Sequence, residues 1–331
     1  MSKALSSWFN SVRVLGLPDV KTPNGSNVAI VEWKGSLYVF FTGSRNEGVF
    51  CTTANFDKGD MQNWSKPTLI TSQSVNSPAV ALYDNKIYLL YHPIDCAKIY
   101  YHTFDGTKWS ASTNIGLDAD EGATTSPVAT SYRGKLYVFW SGSGNDGVWY
   151  KTFDGKTWSA QVQILVQGKY IGIAKNTSPS VVVYKTQLYL FYNGSDGTYY
   201  AAFNGNDWTD ITGLSGTIGC SFLPGTSPSV FKYEKLLLLL WNGSGRDGGW
   251  MSCFDGDGWT KQESFSYAIG GDDLAAGTTA QGYSFKNSNV TYRPFIFRTC
   301  GNNGVAMCDA RNANQHIPYE LFIEVADAGS T

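Results

Sequence analysis

A segment of about fifty residues recurs along this chain, and repetition at such a spacing means a fold assembled from like units. The clearest copy opens at Ser126-Pro127 and closes at Phe153-Asp154-Gly155-Lys156-Thr157-Trp158. Others open at Ser77-Pro78, Ser178-Pro179 and Ser227-Pro228, and close on Phe104…Trp109, Phe203…Trp208 and Phe254…Trp259. The Ser-Pro starts are spaced by 49, 52 and 49 residues. Weaker copies flank them: Asn27-Val-Ala-Ile runs to Trp64, and Thr279-Ala-Gln runs to Gly304-Val-Ala-Met. The units read 26–76, 77–125, 126–177, 178–226, 227–278 and 279–331, with 7–15 as a closing strand, all within one domain of residues 1–331.

Each unit reads as four strands. The first starts at Ser-Pro, where proline is tolerated because it heads the strand. A polar turn (Asp84-Asn85, Arg133-Gly134) leads to the second, such as Leu136–Trp140. A Gly/Ser/Asp hairpin leads to the third, Val148–Phe153, and Asp-Gly then turns the chain into a fourth strand expected to start at Trp158. The second strand is apolar on both faces (Leu136, Val138, Trp140; Tyr137, Phe139), so each sheet needs a neighbour on either side. Helical repeats fail because no unit carries a 3.6-residue apolar period. The pattern predicts an all-β fold: a six-bladed β-propeller with four antiparallel strands per blade. Ser7-Trp8-Phe-Asn-Ser-Val-Arg-Val14 matches the fourth strand of a unit and is expected to close the ring; Ile317–Val325 is the competing candidate.

Composition excludes several classes. Charged residues make up 16% and aromatic residues 15%, too ring-rich for disorder. A net charge of −2 with no basic stripe argues against nucleic-acid partners. No apolar run reaches membrane-spanning length, so no membrane insertion is expected. The six cysteines show no CxxC pair and read as reduced, buried small hydrophobes. The start lacks the apolar stretch of a secretory signal, which suggests a cytoplasmic protein or one released by a non-standard route.

Second-to-third hairpins and blade-to-blade crossings share one propeller face, and binding residues commonly sit on such loops. The hairpins are related: Arg45 and Glu47, Asn145 and Asp146, Asp196, and Arg246 and Asp247 precede the rings Phe50, Trp149, Tyr199 and Trp250. Tyr100 holds the ring position in the second unit. Planar polar groups beside a ring suit a sugar, whose C–H face stacks while its hydroxyls are hydrogen-bonded. The competing reading is that Asp-Gly makes the turn and the rings pack between blades. Tyr91/His92, Trp140/Ser141, Tyr192/Asn193 and Trp241/Asn242 read either as a pocket rim or as core rings with polar caps.

Signals for catalysis are thin. His92, His102 and His316 form no metal-ligand pattern. Asp118, Asp120 and Glu121, or Asp272 and Asp273, would suit a glycosidase or a calcium ion, although such runs are usually solvated loops. No cofactor is expected.

Lys86-Ile-Tyr-Leu-Leu-Tyr91 through Ile99-Tyr-Tyr-His-Thr-Phe-Asp-Gly-Thr-Lys-Trp109 is similar to the unit of the fungal fucose-binding propeller lectins, and the blades resemble sialidase-type repeats. The resemblance implies a propeller that binds glycans or glycoproteins. It does not carry fucose specificity, because the repeated Arg and Glu of those lectins have no counterpart. The sialidase Asp-box is also one residue longer than Asp154-Gly-Lys-Thr-Trp158. The expectation is a multivalent lectin without catalytic residues. A glycoside hydrolase or lyase with one site at the axial mouth is the alternative, and a protein-interaction scaffold the third.

Overall fold

In the computed structural model residues 12–310 are described, apart from 24, 46, 58–59, 119–121, 144–146, 245–247, 265–278, 287–291 and 300–303. The turns show why the repeats become sheets. After the inner strands of the first three units, two consecutive residues take positive φ, as at Asp84-Asn85 (48° and 53°) and Arg133-Gly134 (47° and 74°); in the fourth and fifth, Lys185 and Glu234 do so singly (52° and 51°). That geometry matches the right-handed twist of the flanking strands and returns the chain antiparallel. After the third strands of the second to fifth units, one side-chain oxygen of Asp105, Asp154, Asn204 or Asp255 accepts the backbone N–H groups two and three residues on, at 2.7–2.9 Å. Those bonds favour the carboxylate, and they hold the pKa of Asp105 and Asp154 below the usual value. The Phe and Trp flanking each of these turns lie 5.0–5.1 Å apart, stacked in three and tilted in Phe153–Trp158.

The result is a β-propeller of antiparallel sheets. In the third unit the order is Val128–Tyr132, Lys135–Ser141, Val148–Phe153, Val162–Gln163. Two expectations need correction. Trp158 makes only an isolated bridge to Phe153, and the outer strand starts at Val162. The chain must first complete the Asp-Gly turn before it can pair again. Four strands per blade holds for five sheets; the sheet of the first unit has five, because Asp60–Gln62 and Thr68–Thr71 both pair with Val49–Asp57.

The last unit takes its outermost strand from the other end of the chain. Val12–Lys21 pairs antiparallel with Gly304–Ala310, with Val12 opposite Ala310. This strand covers the described part of the expected 7–15 and runs on to Lys21, while residues 7–11, Trp8 among them, and Ile317–Val325 lie outside the described residues.

Inner strands pack side by side in cyclic order, Ala29–Trp33, Ala79–Tyr83, Val128–Tyr132, Ser180–Tyr184, Ser229–Tyr233, Gln281–Lys286, and back to Ala29–Trp33. Apolar faces of adjacent blades form the core, with Trp140, Trp241, Tyr91 and Phe191 nearly or wholly excluded from solvent. Each turn tryptophan crosses to the preceding blade, as Trp109 does edge-on to Phe40 at 5.8 Å and Trp259 to Phe191 at 5.8 Å. At about 25 cal/mol per Å², burial on both faces of every sheet is the main force joining the blades.

Candidate functional site

The five rings singled out in the sequence occupy one register position, repeated from blade to blade. Phe50 lies opposite Phe41 on one side and Leu69 on the other. Tyr100 lies between Tyr91 and Asn114, Trp149 between Trp140 and Gln163, Tyr199 between Tyr192 and Gly213, and Trp250 between Trp241 and Ser264. Three stack on their second-strand partners: Phe50 on Phe41 at 5.8 Å, Tyr100 on Tyr91 at 6.1 Å, Tyr199 on Tyr192 at 5.5 Å. Trp149 is buried, and the other four are half-buried.

The polar members are less uniform. Arg45 and Glu47 are exposed, and Glu47 and Phe50 both crowd Gly43. In the fourth blade the Tyr199 hydroxyl donates to Asp196 Oδ1 at 2.8 Å, so ring and carboxylate form one unit. That bond, then burial, raises the Tyr199 pKa. Asn145, Asp146, Arg246 and Asp247 lie outside the described residues, as do Asp120, Glu121, Asp272 and Asp273. Asp118 is exposed, and among the described residues no group of three or more His, Cys, Asp and Glu could hold a metal.

Where the second strand meets the hairpin, the ring is core and the polar residue is a clip. Thr42 Oγ1 donates to the Asn76 carbonyl (3.0 Å), Ser141 Oγ to that of Thr177 (2.8 Å), and Asn193 Nδ2 to that of Thr226 (2.8 Å). Each bond ties a blade to the crossing that enters the next. His92 stands at this position in the second blade, buried, with Nε2 lacking a partner among the described residues. Burial holds its pKa below the ordinary value.

Sequence reasoning missed the role of the hydroxyl that opens each repeat. Asn27 N–H donates to Ser77 Oγ (2.9 Å), and Ser77 N–H to Ser126 Oγ (3.1 Å). Ser178 Oγ donates to the Ser126 carbonyl (2.8 Å), and Ser178 N–H to Ser227 Oγ (2.8 Å). Thr279 Oγ1 donates to the Ser227 carbonyl (2.6 Å), and Thr279 N–H returns to Asn27 Oδ1 (3.0 Å). This circuit passes through the start of every inner strand. Its signal was the hydroxyl or amide recurring at each unit start, which reads as a strand-start preference until the ring is seen.

The inner strands surround an axial cavity of about 690 Å³. Asn27, Ser77, Ser126, Ser178 and Ser227 of the circuit line it, together with Ile30, Val80 and Val181. Among the described lining residues only Lys232 and Glu234 carry charge.

No family model and no curated protein matches the chain. Solved structures do, at low identity. A triple arginine mutant of AofleA from Arthrobotrys oligospora, a fungal lectin, is 13% identical with a TM-score of 0.59, over 91% of this chain and 87% of that one. The Hadza microbial sialidase Hz136 is 16% identical with a TM-score of 0.64, over 90% of this chain and 68% of that one. YjhT is 13% identical with a TM-score of 0.51, over 87% of this chain and 95% of that one. The chain shares the β-propeller fold of these proteins.

Proposed function

We propose that this protein is a multivalent carbohydrate-binding propeller, one domain of six blades in a ring closed by its N-terminal strand. Its contacts are the polar hairpin groups beside the ring layer: Arg45 and Glu47 with Phe50, Asp196 with Tyr199, and Asn145, Asp146, Arg246 and Asp247 with Trp149 and Trp250. The observation that carries the reading is the ring layer, which recurs in five blades. Repeated weak sites gain avidity on a glycan-coated surface without any new contact. The fold shared with a lectin and a sialidase agrees with a ligand of this class.

A glycan array tests the reading, with unaltered protein in the presence and absence of EDTA and with the double variant Arg45→Ala/Glu47→Ala. Both side chains are exposed, so the variant keeps the fold. Binding to one terminal sugar across many scaffolds, insensitive to EDTA and at least tenfold weaker in the variant, is expected. A blank array for the unaltered protein overturns the proposal and directs the search to hydrolase substrates.

A further inference from the structure

The aromatic side chain most open to a ligand lies outside the ring layer. The crossing from the third to the fourth blade carries a small antiparallel ribbon, Leu165–Val166 paired with Lys169–Tyr170. Its tip, Gln167-Gly168, has φ of 52° and 75°, the two-residue turn that suits a tight hairpin. Strand alternation divides its side chains cleanly. Ile164, Val166 and Ile171 point into the core between the two blades and are 1%, 7% and 0% exposed. Leu165 and Tyr170, directly opposite each other, are 50% and 57% exposed. Val162, just upstream in the third blade's outer strand, is 42% exposed, and Tyr170 is the only exposed aromatic among the described residues.

The ribbon is also held in place. A methyl group built on Gly147 would sit 2.7 Å from the Ile171 carbonyl oxygen and 3.4 Å from Tyr170 Cβ. Gly147, with φ of 103°, therefore lets the third-blade hairpin lie directly against the ribbon. On the other side, Gln167 Nε2 donates to Asp210 Oδ1 of the fourth blade at 2.7 Å. A hairpin packed this well on its inner face gains nothing in stability from an outward ring and leucine, whose exposure leaves apolar surface in water. Contiguous exposed apolar side chains on an anchored element mark a contact surface.

We infer that Tyr170 is the stacking platform of a separate glycan-binding site, with Leu165 extending its apolar floor and the Gln167–Asp210 pair at its rim. The occupant that fits is a pyranose unit of a glycan. One ring and one leucine match a single sugar face, whereas a stable protein interface calls for about 1,200–2,000 Å² of buried surface. The remaining amide oxygen of Gln167 and the free carboxylate oxygen of Asp210 are acceptors for sugar hydroxyls. The site rests on the carbohydrate reading above and gives it a position distinct from the hairpin rings.

The test compares unaltered protein with Tyr170→Ala, Tyr170→Phe and Leu165→Ser on the same glycan array, with melting temperatures as the fold control. Unchanged melting temperatures, at least tenfold weaker binding of the best glycan by Tyr170→Ala, and binding within about threefold for Tyr170→Phe are expected, since phenylalanine keeps the stacking face. Leu165→Ser should fall between them. If the unaltered protein binds glycans and Tyr170→Ala binds equally well, the site is overturned and the general reading stands. If the unaltered protein binds none, both fall.

Discussion

Replacing Ser77 with alanine tests whether the hydroxyl circuit is a working part of the fold. Ser77 is 8% exposed, and its Oγ accepts the Asn27 N–H at 2.9 Å across the joint between the first and second blades. Alanine leaves that N–H without an acceptor where little water reaches it, a loss of about 1–3 kcal/mol. For 331 residues, an unfolding entropy of ~2.1 cal/mol/K per residue amounts to roughly 0.7 kcal/mol/K. The melting temperature should therefore drop by about 1.5–4 °C. Ser126→Ala and Ser227→Ala remove the equivalent acceptors of the Ser77 and Ser178 N–H groups, at 3.1 and 2.8 Å, and should behave alike. Ser77→Thr retains the hydroxyl and should lose less than half as much. Tryptophan fluorescence during thermal unfolding is the assay. Alanine variants that melt together with the parent, or a threonine variant as damaged as the alanine one, would refute a role for these hydroxyls in joining the blades.

Two further perturbations probe the joints from other sides. Burial keeps the folded His92 pKa below its ordinary 6.5, so the unfolded chain takes up a proton that the folded chain resists. Its effect on stability is absent above about pH 6.5 and grows unfavourable as pH falls from there toward the lower folded value. His92→Asn, which installs the clip the fourth blade uses at Asn193, should remove that part of the acid sensitivity. Denaturant midpoints of parent and variant between pH 8 and 5 should diverge below pH 6.5, and a constant difference across the range would exclude His92. Gly48→Ala should be far worse than Gly134→Ala. Both glycines have positive φ, 127° and 74°, which costs a side chain about 1–2 kcal/mol. Around Gly134 there is open space, whereas a methyl group on Gly48 would lie 2.1 Å from the Thr71 carbonyl oxygen and adds about 1–3 kcal/mol of overlap. Equal melting temperatures for the two variants would contradict this packing of the first hairpin against its outer strand.

What the sequence disclosed, and what it withheld, follows from the range over which each interaction acts. Asp154 holds its turn by bonding Lys156 and Thr157, two and three residues away, so the turn is written in consecutive letters. Trp140 and Trp149 sit opposite each other within one hairpin, and their register follows from its length. Ser77 is different: its partners, Asn27 and Ser126, lie about one repeat away on either side, and each bond exists only once neighbouring blades are stacked. The same holds for Ser141 and Asn193, whose polar ends read equally as pocket rim or cap until the crossings they bind, at Thr177 and Thr226, are placed. The crossings themselves were the least legible. Leu165-Val-Gln-Gly-Lys-Tyr170 has no counterpart in the other units, so no repeat could say which of its alternating residues would face inward. That choice was made by Ile164, Val166 and Ile171 finding the core between two blades, which turned Leu165 and Tyr170 outward. The rings Phe50, Tyr100, Trp149, Tyr199 and Trp250 recur in five blades, each opposite a second-strand residue that fixes its place. Tyr170 occurs once and outside the packing, and so it is the aromatic residue whose position folding does not account for.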